Sequence, residues 1–259
     1  LIKRILTALV LVPLVVLFVA KTTPVWFLGL LVLLAATGQY EFNRMAEVGP
    51  AVSAAAIAAG AAVLIFSARP SAWLHPGGIA FAACASVIVV RLFSNGWPRG
   101  SLRETGAAIA GLVYLPGLFT FQASLRETGV EYIYMLYAII WTCDSLALYT
   151  GKYLGRRKLY PTMSPNKTVE GSLGGLAGGI IAAWLVNHWL GVMTPAAAVA
   201  AGAVVSTAGQ IGDLVESMFK RDAGVKDSGA IFPGHGGVLD RMDAALFGGP
   251  ALFYFVKAI

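Results

Sequence analysis

Between Gly212 and Asp243 the chain reads GDLVESMFKRDAGVKDSGAIFPGHGGVLDRMD. This stretch holds six of the thirteen acidic residues, together with Lys220, Arg221, Lys226 and Arg241. Asp213, Glu216 and Lys220 are spaced i, i+3, i+7, so a helix running through them carries all three on one face. Asp240 and Asp243 repeat the i, i+3 spacing. Carboxylates are hard oxygen ligands suited to Mg²⁺, which keeps several waters and also takes phosphate oxygens. Asp213, Asp240, Glu216 and Asp243 are therefore the candidate metal ligands. The bland alternative is a solvated face of paired charges. Against it, Asp213 follows the apolar run AAGAVVSTAGQIG, and an unpaired carboxylate close to hydrocarbon costs several kcal/mol.

Between the two acidic pairs lie Gly229 and the run Phe232-Pro233-Gly234-His235-Gly236-Gly237. Glycines let backbone N–H groups approach an anion closely, and successive N–H groups can form an anion nest. Lys220, Arg221, Lys226 and Arg241 supply positive charge for phosphates. His235 is a candidate acid, base or phosphate donor; a structural turn histidine is the equal alternative. Together these features predict a site for divalent metal and a nucleoside triphosphate.

A second polar loop, Lys152 to Gly171, reads KYLGRRKLYPTMSPNKTVEG. Ser164-Pro165 has the form of an N-cap followed by proline at the first helical position. The positive end of such a helix, with Lys167 and Thr168 beside it, would hold a phosphate. Arg156, Arg157 and Lys158 read as topology anchors. Asp144, in WTCDSLALY, lies inside an apolar span, where an acid is functional by default or pairs with a base; Lys152 is the candidate partner. Gln210 sits three residues before Asp213 and is placed to line the same cavity. Glu41, with Tyr40 and Asn43, reads as interfacial.

The elements that position these residues follow from composition. Hydrophobic residues make up 58% of the 259-residue chain, charged residues 12%, and mean hydropathy is +0.74. Soluble domains carry about 25% charged residues, so this chain must be solvated by lipid. In lipid only helices and closed barrels satisfy the backbone, and long apolar runs without alternation select helices. The expectation is one all-α, polytopic integral membrane domain over 1–259, its N-terminal helices (1–130) without assigned role and its catalytic half (131–259) bearing loops 151–170 and 213–242. About nine transmembrane helices are predicted, at 5–20, 25–38, 51–68, 77–93, 105–123, 131–150, 171–190, 194–212 and 243–259. The first reads as a retained helix rather than a cleaved leader.

With a cytoplasmic N-terminus, fifteen of the nineteen Lys and Arg residues fall inside and four outside, the bias of an inner-membrane protein. Both polar loops then face the cytoplasm. The net charge of +6 is explained by this bias and gives no reason to invoke nucleic acid. Cys84 and Cys143 both lie in apolar spans and indicate no disulfide framework. Gly171, Gly175 and Gly179, with Gly174 and Gly178, repeat every four residues, a spacing that lets helices approach closely. Packing within the chain is the first reading of this face and a homodimer seam the second. No GxxxxGK[ST], HExxH or CxxC occurs, which excludes P-loop hydrolysis, HExxH-type zinc proteolysis and CxxC redox chemistry.

Ser217-x-Phe219-Lys220-Arg221, then Lys226-Asp227-x-Gly229, then Phe232-Pro233-x-His235-Gly236-Gly237-Val238-x-Asp240-Arg241-Met242-Asp243 resembles the full signature of the phosphatidate cytidylyltransferases, or CDP-diacylglycerol synthases. Ser164-Pro165-x-Lys167-Thr168-x-Glu170-Gly171, and Asp144-Ser145 followed by Gly151 and Gly155, also resemble motifs of that family. The resemblance implies a membrane enzyme that joins CTP and phosphatidate, releasing pyrophosphate. It implies Mg²⁺ as cofactor, with a second cation, of a kind the resemblance leaves open between monovalent and divalent, as a further expectation. Carried over by position, Asp213 and Asp240 would be metal ligands; Lys167, Lys220, Arg221, Lys226 and Arg241 would contact phosphate. The alternative reading of the intramembrane carboxylates is a cation-coupled transporter.

Overall fold

The computed structural model describes residues 17, 19–68, 76–94, 97–231 and 236–259. Among the described residues nine α-helices follow one another: α1 Pro24–Met45, α2 Pro50–Ser67, α3 Pro76–Phe93, α4 Ser101–Leu112, α5 Leu118–Thr128, α6 Val130–Leu154, α7 Val169–Leu190, α8 Pro195–Asp222 and α9 Leu239–Ala258. A π-helical turn, Val113–Gly117, joins α4 to α5 around Pro116. Proline has no N–H to donate and displaces the helical ladder. The predicted span 105–123 is therefore a longer, interrupted element.

Seven segments among the described residues are long and apolar enough to cross a membrane: α1, α2, α3, α4 to α5 taken together, α6, α7 and α8. The predicted span 5–20 falls almost wholly outside the described residues. The predicted span 243–259 is a helix, α9, but it is not one of the seven; Asp240, Arg241, Asp243 and Lys257 lower its apolar character. The chain is a predominantly helical integral membrane protein, and the expected count of nine spans is not reached among the described residues.

Helix starts follow local chemistry. Pro24, Pro50 and Pro195 occupy the first turn of α1, α2 and α8, where a missing N–H costs nothing. Thr194 caps α8 by accepting from the N–H of Ala197 at 3.2 Å. At α7 the structure corrects the expectation. Ser164–Thr168 is a strand, β2, paired antiparallel with β1 (Lys158–Tyr160) in the register Lys158↔Thr168 and Tyr160↔Ser164. The helix starts at Val169 with Thr168, not Ser164, as its cap, and the Thr168 hydroxyl accepts from the N–H of Gly171 at 3.1 Å. The strand wins because β1 satisfies its backbone, and because Glu170 ties the hairpin down by accepting from the N–H of Arg156 at 3.0 Å.

The glycines of α7 are used within the chain. A side chain at Gly175 would run into the backbone and Sγ of Cys143 on α6; one at Gly179 would meet Ser206 on α8. Small residues allow α7 to lie against both neighbours, so the packing reading holds for this face. The buried core spans both halves, from Phe27, Leu31 and Phe42 through Leu115, Phe119, Met135 and Ile139 to Val205, Leu246 and Leu252. An edge-to-face cluster of Phe42, Tyr114 and Phe219, with ring centroids 5.2 and 5.3 Å apart around Phe219, anchors the last turn of α8 to the N-terminal half.

Loops that the charge bias assigns to one side meet at one end of the molecule. Glu104 accepts from the N–H of Gly49 at 2.9 Å and pairs with Arg91 at 2.6 Å, and Arg221 donates to the carbonyl of Met163 at 3.3 Å. Arg126, assigned to the other side, donates to the carbonyl of Thr22 at 2.8 Å. Helix α8 has 28 residues, or about 42 Å at ~1.5 Å per residue, which exceeds the ~30 Å hydrocarbon core. Its last turns, with Asp213 to Arg221, therefore reach toward the headgroups.

Candidate metal and phosphate site

Asp213 and Glu216, one turn apart near the end of α8, meet Asp243 from the first turns of α9. One carboxylate oxygen from each lies within 4.8 Å of the other two. Glu216 is fully buried, and neither of its oxygens accepts a well-angled hydrogen bond from the described residues. Its charge is offset by Lys220, whose Nζ lies 2.5 Å from Oε2. Asp213 Oδ2 lies 2.5 Å from Lys167 Nζ, which β2 brings in. Three carboxylates this close repel one another unless cations intervene. Three hard carboxylate oxygens this close, with Glu216 buried and Asp213 and Asp243 half-buried, are a donor set that fits a hard divalent cation.

Asp240 stands beside this trio. Its Oδ1 lies 2.7 Å from Lys220 Nζ. Its Oδ2 accepts from the N–H of Ser228 at 2.9 Å and of Gly237 at 2.7 Å, and lies 2.8 Å from the Ser228 hydroxyl. Burial opposes ionisation of Asp240, but Lys220, Gly237 and Ser228 outweigh it and hold its carboxyl down to about 2. Gly236 has φ +79°, and a side chain there would collide with the Asp240 carboxylate. That glycine is required twice over.

These groups open into a cavity of about 700 Å³. Asp144, Asp213, Asp240 and Asp243 line it with Lys152, Lys167, Lys220 and Arg241; Leu148 and Leu159 supply an apolar flank. Thr168 lines it too. Glu216 joins through Lys220. Ser164, Arg221 and Lys226 are not among the lining residues: Ser164 pairs within the hairpin, Arg221 turns to Met163, and Lys226 is exposed. Gly236 and Gly237 act through Asp240. His235, with Phe232, Pro233 and Gly234, lies outside the described residues.

Sequence reasoning gave no role to Asp227 and underrated Glu41. Asp227 lines the cavity. Glu41 was placed at an interface but is buried, and it accepts from the N–H of Val238 and of Leu239. An acid within an apolar helix is the signal that could have found it. Ser172 and Gln210 form a hydrogen-bonded pair at the cavity wall, in keeping with the place expected for Gln210.

Apolar helices long enough to cross a membrane thus frame a cavity where an acid trio that could hold a cation meets several bases. The chain belongs to the cytidylyltransferase family, whose model matches residues 2–259. It is similar to the phosphatidate cytidylyltransferase of Staphylococcus haemolyticus (strain JCSC1435), 33% identical over 261 residues covering 96% of each chain. It is also similar to the protein of that name from Staphylococcus aureus (strain COL), 35% identical over 196 residues and 75% of each chain. A third, from Staphylococcus epidermidis (strain ATCC 12228 / FDA PCI 1200), is 38% identical over 162 residues and 60% of each chain. The chain is thus a nucleotidyltransferase embedded in a membrane.

Proposed function

We propose that this chain transfers the CMP unit of CTP to phosphatidate at the cytoplasmic face of a bacterial inner membrane, yielding CDP-diacylglycerol and pyrophosphate. The observation that carries the reading is the Asp213, Glu216 and Asp243 trio, set beside Lys167 and Lys220 at the end of apolar helices. In the reaction a phosphate oxygen of phosphatidate forms a bond to the α-phosphorus of CTP. The bond from that phosphorus to the bridging oxygen breaks, and pyrophosphate departs with its electrons. A phosphomonoester is already largely ionised at neutral pH, so no strong general base is needed.

The trio would hold Mg²⁺, and Asp240 can join it once Lys220 turns to a phosphate. When bound, the ion supplies charge neutralisation and in-line orientation for phosphoryl transfer. Lys167 and Lys220, which offset Asp213 and Glu216 here, face the same cavity as Arg241 and are placed to take up phosphate oxygens. Asp144 extends the acidic wall on α6. Its position suits a second cation. The apolar flank at Leu148 and Leu159 suits a lipid whose tails stay in the bilayer. Catalysis then rests on positioning and preorganised charge.

The test incubates purified protein with labelled CTP, phosphatidate and Mg²⁺. A lipid-soluble cytidine product is expected, and its absence with active controls overturns the reading. A cation-coupled transporter has no support, because the family is one of cytidylyltransferases. Any homodimer would need a face other than the glycine rows of α7, which α6 and α8 already occupy.

A further inference from the structure

We infer that Glu41, from the N-terminal half, is a positioning residue for the turn that carries Asp240, an inference that rests on the function proposed above. Glu41 lies near the end of α1 and is 3% exposed. Its Oε1 accepts from the N–H of Val238 at 3.0 Å and its Oε2 from that of Leu239 at 2.9 Å, with the Ser228 hydroxyl 3.1 Å from Oε2. These donors belong to the start of α9, where N–H groups have no partner within the helix and a negative charge is favoured. No side chain at the cap position, Val238, supplies an acceptor. Glu41 supplies it from 198 residues away in sequence.

Asp240, itself in the first turn of α9, accepts from the N–H of Gly237 in the same turn and from that of Ser228 in the preceding loop. Two carboxylates thus hold one turn, with the Ser228 hydroxyl between them. The space Glu41 fills also accounts for two glycines of the motif. A side chain at Gly229 or Gly237 would run into the Glu41 carboxylate. Neither has a positive φ, so the close approach, not backbone conformation, excludes a side chain there. Glu41 does not line the cavity and acts through the turn. If the turn shifts, Asp240 shifts, and with it Lys220, which bridges Asp240 and Glu216.

The experiment compares full-length wild type, Glu41→Gln and Glu41→Asp. It reads steady-state kinetics with CTP, phosphatidate and Mg²⁺, hydrogen–deuterium exchange across residues 236–245, and the thermal unfolding midpoint. Glutamine offers one acceptor oxygen where three donors converge. In Glu41→Gln, exchange at Val238 and Leu239 is expected to rise roughly tenfold or more. Its kcat should fall roughly 10- to 100-fold, with KM for CTP within about threefold. Glu41→Asp keeps the charge and should recover part of kcat. A purely structural role would lower the unfolding midpoint and leave kcat per folded molecule unchanged, which overturns the inference. So does wild-type exchange at Val238 and Leu239. If Glu41→Gln does not accumulate as folded protein, Glu41→Asp carries the same readouts, and wild-type kcat in it overturns the role. A wild type that makes no cytidine lipid overturns the proposed function instead, while the exchange comparison still decides whether Glu41 holds the turn.

Discussion

Lys167 Nζ lies 2.5 Å from Asp213 Oδ2, linking the hairpin strand β2 to the C-terminal turns of α8. Both side chains are about one third exposed, so the pair is a rim contact and holds little energy. Its meaning is in charge placement: the base occupies the position that a cation and its bound phosphate would compete for.

Lys167→Met should therefore separate two effects. Metal binding without nucleotide, followed by calorimetry with Mn²⁺ or Mg²⁺, should tighten by up to roughly fivefold, because an exposed pair is worth about 1 kcal/mol or less. Turnover should fall by roughly tenfold or more, because a charge aimed at phosphate is lost. Weaker metal binding in this variant would contradict the competition.

Glu216→Gln tests the trio itself. The buried carboxylate has no hydrogen-bond donor to lose except the ammonium of Lys220, which keeps Asp240 as partner. The folded protein should accumulate normally, while the Mg²⁺ concentration for half-maximal activity should rise roughly tenfold or more. Asp243→Asn should shift it the same way. An unchanged Mg²⁺ dependence in both variants would remove the trio from metal binding.

Much of this site was legible because acids in an apolar chain are conspicuous. Asp213, Glu216, Asp240 and Asp243 stood out by spacing and setting, and all but the buried Glu216 line the cavity. The division of labour among them was not legible. Whether Asp240 faces the trio or Lys220 and Ser228 depends on contacts between α8, α9 and the loop between them, and spacing along one helix says nothing of these. Glu41 was hidden for the same reason, since its donors lie far along the chain. The helices were legible where apolar runs were long. The π-helical turn at Val113–Gly117 was not, because Pro116 interrupts a run without ending it.

Asp240→Asn should abolish turnover and also cost stability. The asparagine offers one acceptor oxygen to Lys220, Ser228 and Gly237, and hydrogen bonds to a charged group contribute about 1.5–3 kcal/mol each at most. The sign with pH follows from a carboxyl held down to about 2 against an ordinary 3.8. Asp240 binds its proton more weakly when folded, so its contribution is complete above about pH 4 and is lost as pH falls toward 2. Unfolding midpoints of wild type and Asp240→Asn should differ at neutral pH and converge in that acid window. A constant gap down to pH 2 would assign the difference to something other than the charge.

The start of α7 gives the last prediction. Thr168 accepts from the N–H of Gly171 and is buried, whereas Ser164 lies on β2 four residues earlier. A helix N-cap replaced by alanine loses about 1 kcal/mol. Thr168→Ala should thus lower unfolding stability by about that amount, and Ser164→Ala should leave it within about 0.5 kcal/mol. The same cap sets the cavity wall, because Gly151 on α6 approaches Gly171 at the Thr168 hydroxyl. Thr168→Ala should therefore also raise KM for CTP, while Thr168→Ser, which keeps the hydroxyl, should preserve both stability and KM. Equal losses at Ser164 and Thr168 would mean that the helix starts at the earlier residue in the membrane.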